Sequence, residues 1–128
     1  MRVSICSPSI ELEGNFSLIE MFRFHYSLRE IKNNISEDEF FEFCLLKDSR
    51  NKKVNELSSG MTQRLKLAFA FITKSDLILL DEPCMNLDQL GIDMYSSFIT
   101  NFGSDTTQVV ASNSVAVEYA HCTAEIIL

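Results

Sequence analysis

The sequence LSSGMTQRLKLAFAFITKSDLILLDEPCMNLD, residues 57–88, decides the fold because it places a predicted helix directly before a predicted buried strand. The helix is expected to begin at about Ser58, after which apolar residues recur at helical spacing: Met61, Leu65, Ala68, Phe69 and Ile72. The run LILL, residues 77–80, has no polar interruption, which is typical of a parallel strand covered on both faces. The stretch therefore predicts a helix packed on a parallel sheet.

The rest of the chain alternates between predicted strands and helices. RVSIC, residues 2–6, is short and β-branched, which predicts the first strand. Two capping boxes, Ser17 with Glu20 and Ser36 with Glu39, each open a predicted helix. Further helices are expected over residues 88–102 and 115–122, and further strands over residues 106–112 and 124–128. This alternation predicts an α/β fold with a parallel sheet.

Composition and charge exclude several classes of protein. The 128 residues are 46% hydrophobic and carry a net charge of −7, so binding of nucleic acid through clustered Lys and Arg is not expected. The four cysteines are widely and irregularly spaced, which favours reduced thiols over a disulfide framework or a zinc site. No apolar run approaches the ~20 residues of a membrane span, and the N-terminus lacks the pattern of a signal peptide. A cytosolic chain is therefore expected.

Two short segments carry candidate chemistry. Ser58 can cap the helix, and Gly60 lets the first helical turn approach a ligand closely, so free N–H groups there would favour a phosphate. Asp81 and Glu82 follow the predicted strand at its carboxyl end, where Asp81 could hold Mg²⁺ through water and Glu82 could polarise an attacking water. The alternatives are a plain helix cap at Ser58, a solvated acidic strand end, and a plain N-cap at Asp88.

In combination, these segments resemble the ATP-binding cassette (ABC) family of ATPases. The segment LSSGM, residues 57–61, resembles the family signature, with Ser59 and Met61 where the family usually has Gly and Gln. Residues 77–82 resemble its Walker B strand and catalytic glutamate, and residues 86–88 resemble its D-loop. The resemblance runs in order, spacing and residue type through about a quarter of the chain.

The resemblance implies a fold, a set of partners and a set of ligands. The fold is a partial P-loop ATPase parallel-sheet core, over residues 1–16 and 76–128, with an α-helical subdomain over residues 17–75. Two such domains would dimerise head to tail and bind ATP and Mg²⁺ between them, with the helical subdomain against a membrane permease at the inner face of the cell membrane. The implied site residues are Glu82 as the catalytic base, Asp81 for the metal, and Ser58, Ser59, Gly60, Met61, Asp88 and Asn113 for the nucleotide.

The sequence departs from the family pattern in three ways. No G-x-x-x-x-G-K-[S/T] phosphate loop, or Walker A motif, occurs in the chain, so it resembles the C-terminal portion of a cassette. Asn113 stands where the family has a switch His, and CSPSIELEG, residues 6–14, contains no Q-loop Gln. We expect the isolated chain to be catalytically inactive and to self-associate through apolar faces that the missing elements would cover. A truncated regulatory or trans-acting module, or a non-transport ABC ATPase, are the alternative functions.

Overall fold

A computed structural model of the chain describes residues 1–127, which contain a three-stranded parallel sheet. The strands are β1 (Val3–Cys6), β2 (Leu77–Asp81) and β3 (Thr107–Ala111), and their spatial order is β1-β2-β3. Ile5, Leu79 and Val109 lie side by side in the register of the three strands. The apolar run that predicted a buried strand therefore forms the centre of the sheet, hydrogen-bonded on both edges.

Helices connect the strands, as the sequence predicted, so the described residues form an α/β fold with a parallel sheet. Their bounds are α1 (Leu18–Leu28), α2 (Glu37–Phe43), α3 (Ser59–Ile72), α4 (Gln89–Phe102) and α5 (Ala116–Tyr119). Both predicted capping boxes are formed: the Glu20 N–H donates to Ser17 Oγ at 3.2 Å while the Ser17 N–H donates to Glu20 Oε2 at 2.8 Å. Ser36 and Glu39 repeat this arrangement at the start of α2. Local hydrogen bonding thus fixes where α1 and α2 begin.

One cluster of buried apolar side chains joins the helical segments to the sheet. Residues 67–72 of α3 are all buried, as expected for a helix end enclosed on most sides. Around α3 lies a group of aromatic rings from α1 and α2, in which Phe40 has its centroid 4.8 Å from Phe22 and 5.1 Å from Phe69. Such ring pairs add to the stabilisation from area burial alone. Helix α3 therefore lies between the sheet and the aromatic rings of α1 and α2, and it contacts both.

The two faces of the sheet are covered unequally. On one face Ile78 and Leu80 are 0% and 2% exposed. On the opposite face, which we call the open face, Ile5 and Val109 are 51% and 54% exposed and Leu79 between them is partly exposed. The described residues thus cover β2 on one face only; the LILL pattern is typical of a strand covered on both faces, but the sequence also led us to expect that apolar faces are left uncovered. The apolar run was correctly placed in a parallel sheet, but the layer that would cover its second face is not supplied by these residues.

The end of the chain also differs from the prediction. A strand was expected over residues 124–128, but residues 124–127 have no regular structure, and Leu128 lies outside the described residues. A strand needs a neighbour for its backbone hydrogen bonds, and β1, β2 and β3 pair only among themselves. The preceding helix, expected over 115–122, is limited to Ala116–Tyr119.

Among residues 1–127, none of the helices combines the length and the apolar character that crossing a bilayer requires.

His25 of α1 is a partly buried contact to the end of α3, and its titration should be visible in the stability of the fold. Its ring lies 4.5 Å from that of Phe69, and its Nε2 lies 2.7 Å from Thr73 Oγ1. Since the Thr73 hydroxyl donates to the Phe69 carbonyl at 2.7 Å, the ring donates through Nε2. Burial, and then the charge of Arg29, lower the pKa of His25 to about 4.

We expect the free energy of unfolding to fall as the pH drops from about 6.5 to about 4. His25 stays neutral in the folded chain and takes up a proton in the unfolded chain across this range, so its contribution is present above pH ~6.5 and lost below it. The loss should reach up to about 3 kcal/mol and should shrink in His25→Gln. Urea titrations at several pH values would measure it, and His121→Gln would separate the part that comes from the other histidine, whose pKa burial also lowers. An equally steep pH dependence in His25→Gln would contradict the assignment.

Candidate functional site

The segment before α3 forms a shallow pocket with the loop that follows β2. Ser58 caps α3, since its Oγ accepts the Met61 N–H at 3.3 Å. The pocket, which we call the signature pocket, has a volume of about 260 Å³. Its lining residues are Ser58, Ser59, Gly60, Met61, Arg64, Asn86, Leu87 and Asp88. Five of the six predicted nucleotide-binding residues are therefore brought together in one place.

Gly60 is required by the close approach of the two backbones in this pocket. A Cβ at this position would lie 2.8 Å from the carbonyl oxygen of Asn86, which is too short for any real contact. Asn86 itself has a positive φ of 63°, a conformation that Asn tolerates better than most residues. Glycine thus allows the loop after β2 to lie directly on the first turn of α3.

Asp88 is the N-cap of α4, which is one of the interpretations that the sequence allowed. Its Oδ1 accepts the Gly91 N–H at 2.9 Å and so caps α4. It also lines the signature pocket, so the cap and the pocket share this carboxylate.

Asp81 lies at the carboxyl end of β2, with its side chain exposed. Ser7, at the end of β1, donates from Oγ to Asp81 Oδ2 at 2.9 Å, and the hydroxyl of Ser9 lies 2.9 Å from that of Ser7. Carboxylate and hydroxyl oxygens suit Mg²⁺, which is usually held through one or two carboxylates together with phosphate oxygens and water. Asp81 therefore offers one carboxylate to the predicted metal, with Ser7 as a hydrogen-bond partner that the sequence interpretation did not include. Residues 1–127 contain no cluster of three or more His, Cys, Asp or Glu side chains that could hold an ion.

Glu82 is held in an unusual backbone conformation directly after β2. Its φ is 45°, which costs free energy for a residue with a side chain. The conformation is fixed from outside, because the Glu82 N–H donates to the Ala111 carbonyl at 2.9 Å and the Met85 N–H donates to the Glu82 carbonyl at 3.0 Å. The strand end therefore turns sharply and presents the carboxylate away from the sheet.

Asn113 contacts this carboxylate directly, since its Nδ2 donates to Glu82 Oε1. Both residues line a second pocket of about 130 Å³, the Glu82 pocket, together with Cys84, Met85, Val115 and Glu118. Burial, and then the charge of the Glu118 carboxylate, raise the pKa of the Cys84 thiol to about 12, so the thiol stays neutral. The Glu82 pocket and the signature pocket share no lining residue.

Comparison with known proteins identifies the family to which this arrangement belongs. A family model described as ABC transporter matches residues 7–85, which is more than half of the chain. The chain belongs to the ABC transporter family. It is 36% identical to a Nod factor export ATP-binding protein I of Cupriavidus pinatubonensis over 93 residues. The match covers 69% of this chain and 28% of that relative.

Solved structures agree at the level of the fold. The chain is similar to an ATP-binding subunit of an ABC transporter with a TM-score of 0.77 at 19% identity, covering 94% of this chain and 52% of that one. A dimeric ATP-binding cassette bound to ADP and Pi is similar with a TM-score of 0.72 at 20% identity, covering 91% of this chain and 54% of that one. The chain thus spans about half the length of these ABC cassettes.

Besides Ser7, three further residues of the ABC chain that the sequence interpretation missed touch the site. Arg64 lines the signature pocket, Gln63 donates from Nε2 to the Pro83 carbonyl at 2.8 Å, and Glu118 Oε1 accepts the Cys84 N–H at 2.8 Å. A signal for Gln63 was present, because it shares a helix face with Leu67 and Ala70 and so had to be buried. No comparable periodicity marks Glu118, whose helix has only four residues. The roles assigned to the eight predicted site residues stay predictions.

We expect Gly60→Ala to lower the free energy of unfolding by about 1–3 kcal/mol, because the new methyl group forces the Asn86 backbone to move. The sign is the opposite of the usual effect, since Gly→Ala within a helix normally stabilises by about 0.5–1 kcal/mol. Gly14→Ala is the control, as its Cβ would meet only Asn55 Cβ at 3.4 Å, an ordinary contact. Urea denaturation measures both. A stabilised Gly60→Ala chain would show that the two backbones do not touch as described.

Proposed function

We propose that this chain is part of the ATP-binding subunit of an ABC transporter, which couples ATP binding and hydrolysis to transport through a membrane permease. The observation that carries the proposal is the placement of Glu82. Its carboxylate stands at the carboxyl end of the central parallel strand, next to the exposed Asp81, and is held by Asn113. This is where ligands bind in open α/β sheets.

In the proposed mechanism the residues of the chain have separate roles. Glu82 polarises the water that attacks the γ-phosphate, and Asn113 orients the Glu82 carboxylate. Asp81 would hold Mg²⁺ through water, with the hydroxyl of Ser7 keeping its carboxylate in place. Bound Mg²⁺ would neutralise charge on the phosphates. Ser58, Ser59, Gly60 and Met61 serve the nucleotide of a second cassette, because their pocket is separate from that of Glu82.

The proposed partners are a second ABC cassette, in a head-to-tail dimer, and a permease. Support for the dimer comes from the separation of the two pockets and from the dimeric cassette with the same fold. Support for the permease comes from the export function named for the Cupriavidus relative. The predicted location is the cytoplasmic side of the membrane, with the helical subdomain of residues 17–75 against the permease.

A second candidate is a trans-acting or regulatory ABC module. It is favoured because the 128 residues contain no Gly-rich phosphate loop with a Lys. The backbone N–H groups and the Lys of that loop make most of the contacts to the phosphates. Such a module would contribute residues 58–61 to a partner's nucleotide without turning over its own.

The isolated chain is expected to hydrolyse no ATP above the buffer rate, because nothing in its sequence provides the phosphate loop. Wild type and Glu82→Gln should give the same background in a phosphate-release assay. Turnover by the wild-type chain that Glu82→Gln abolishes would contradict this expectation.

The size of the native protein in its source cells decides between the two candidates. Immunoblotting with an antibody against this chain should detect a protein with a mass well above 14.6 kDa. The coding sequence upstream, in the same reading frame, should then encode a phosphate loop. In that longer protein Glu82→Gln should lower the hydrolysis rate at least about 100-fold. A native mass of 14.6 kDa would favour the trans-acting module, and full activity of the Glu82→Gln protein would contradict the assigned base.

We also expect the isolated chain to self-associate through the open face, where Ile5 and Val109 are half-exposed. Light scattering should give an average mass that exceeds 14.6 kDa and rises with concentration. Val109→Lys should shift the chain toward the monomer. Leu90→Lys is the control, because Leu90 is 65% exposed on α4, away from the sheet. A monomer at high concentration, or equal effects of the two variants, would exclude this surface.

A further inference from the structure

One peptide group next to Glu82 is held at both of its polar atoms by buried side chains. The Pro83 carbonyl accepts from Gln63 Nε2 at 2.8 Å, and the Cys84 N–H donates to Glu118 Oε1 at 2.8 Å. The carbonyl of Pro83 and the N–H of Cys84 belong to the same peptide bond. Gln63 comes from α3, and Glu118 comes from α5, which follows Asn113. Helices from two distant parts of the sequence therefore meet at the Pro83–Cys84 peptide, one residue beyond Glu82.

The burial of these two side chains is costly unless they have a specific use. Gln63 and Glu118 are 4% and 2% exposed. Burying a polar group, and above all a carboxylate, costs free energy that only its hydrogen bonds offset. Within residues 1–127 the second carboxylate oxygen of Glu118, Oε2, has no hydrogen-bond partner. An apolar residue at position 118 would avoid that cost, so stability alone does not account for Glu118.

The loop that the peptide belongs to is strained and needs support from outside. Glu82 and Asn86 both have positive φ, at 45° and 63°. Non-glycine residues keep such conformations only where the surrounding structure enforces them. The Pro83–Cys84 peptide lies between the two strained residues, so holding it fixes the loop on both sides.

We propose that Gln63 and Glu118 are positioning residues that fix the Glu82 carboxylate against Asn113 by holding the Pro83–Cys84 peptide. These two hydrogen bonds connect the Glu82 loop to α3, which begins at the signature pocket, and to α5, which follows Asn113. A movement of α3 then reaches the Glu82 loop through the hydrogen bond from Gln63 to Pro83. The inference rests on the proposed role of Glu82, but its geometry can be tested without ATP.

The test is NMR of the whole chain, with two reporters. The side-chain amide of Asn113 reports the contact to Glu82, and the methyl group of Met85, which lines the same pocket, reports the loop. Glu82→Ala defines the Asn113 signal when the contact is absent. Gln63→Met removes the donor while keeping an unbranched side chain of similar length. The Asn113 signal should move toward its position in Glu82→Ala, with the Met85 signal moving as well.

Position 118 provides an independent pair of variants. Glu118→Gln keeps an acceptor for the Cys84 N–H, so the Asn113 signal should stay at its wild-type position. Glu118→Met loses the acceptor, so the signal should move as in Gln63→Met. Thr73→Val is the matched control, because it removes a buried hydrogen bond at the far end of α3. It should lower the thermal midpoint and leave the Asn113 signal unchanged.

A purely structural role for the two side chains gives a different pattern. The Met85 signal would move and the thermal midpoint would fall in Gln63→Met, while the Asn113 signal would stay at its wild-type position. That result, or an unchanged Asn113 signal in Glu118→Met, would overturn the inference. If Gln63→Met fails to fold, the comparison of Glu118→Gln with Glu118→Met still decides it. A longer native protein without ATPase activity would overturn the proposed function and leave this test valid.

Discussion

The position of β2 between two parallel neighbours is the constraint on which the rest of the structure depends. Its backbone is hydrogen-bonded along both edges, to β1 and to β3, so its register fixes both. Ile78 and Leu80 then point into the core. The strand ends at Asp81, and the next residue, Glu82, is turned outward by its bond to the end of β3. The acidic pair is thus positioned by the strand that is most firmly fixed in the chain.

The unequal cover of the sheet follows from how much of a cassette these residues represent. A parallel sheet is normally covered on both faces, and the chain spans about half of the cassettes with which it shares its fold. The described residues supply one layer, in which α3 and the aromatic rings around Phe40 continue the core away from the sheet. This one-sided core keeps the residues after β2 in place while the other face remains open.

The sequence predicted those parts of the fold that depend on local rules. The capping boxes at Ser17 and Ser36 need only residues three apart, and the start of α3 follows from the Ser58 cap. The LILL run identified the central strand, but whether both of its faces are covered depends on other segments and cannot be read from the run itself. The strand expected over residues 124–128 is not formed across the described residues 124–127 for a similar reason, since an apolar segment becomes a strand only when an edge is there to pair with it.

The candidate site divides along the same line. Residues 58–61 and 81–82 were found because they lie in short contiguous motifs. Asn113 was found because it stands at the position where the family pattern has a His. Ser7, Gln63 and Glu118 act through contacts between segments that are 74, 20 and 34 residues apart, and no local pattern encodes such pairs. The fold has to be known before the residues that hold the site can be separated from those that fill the core.

The presence of Asn rather than His at position 113 changes what the switch position can do. A carboxamide donates hydrogen bonds but does not titrate near neutral pH, whereas an imidazole changes its charge there. In the proposed mechanism Asn113 can therefore orient Glu82 but cannot exchange a proton with it. The hydrogen bond from Asn113 uses Oε1 of the carboxylate, so the other oxygen is the one that can face a water. With the proton chemistry confined to Glu82, the orientation of that one side chain becomes decisive. A loop strained at Glu82 and held at the next peptide by Gln63 and Glu118 meets this requirement.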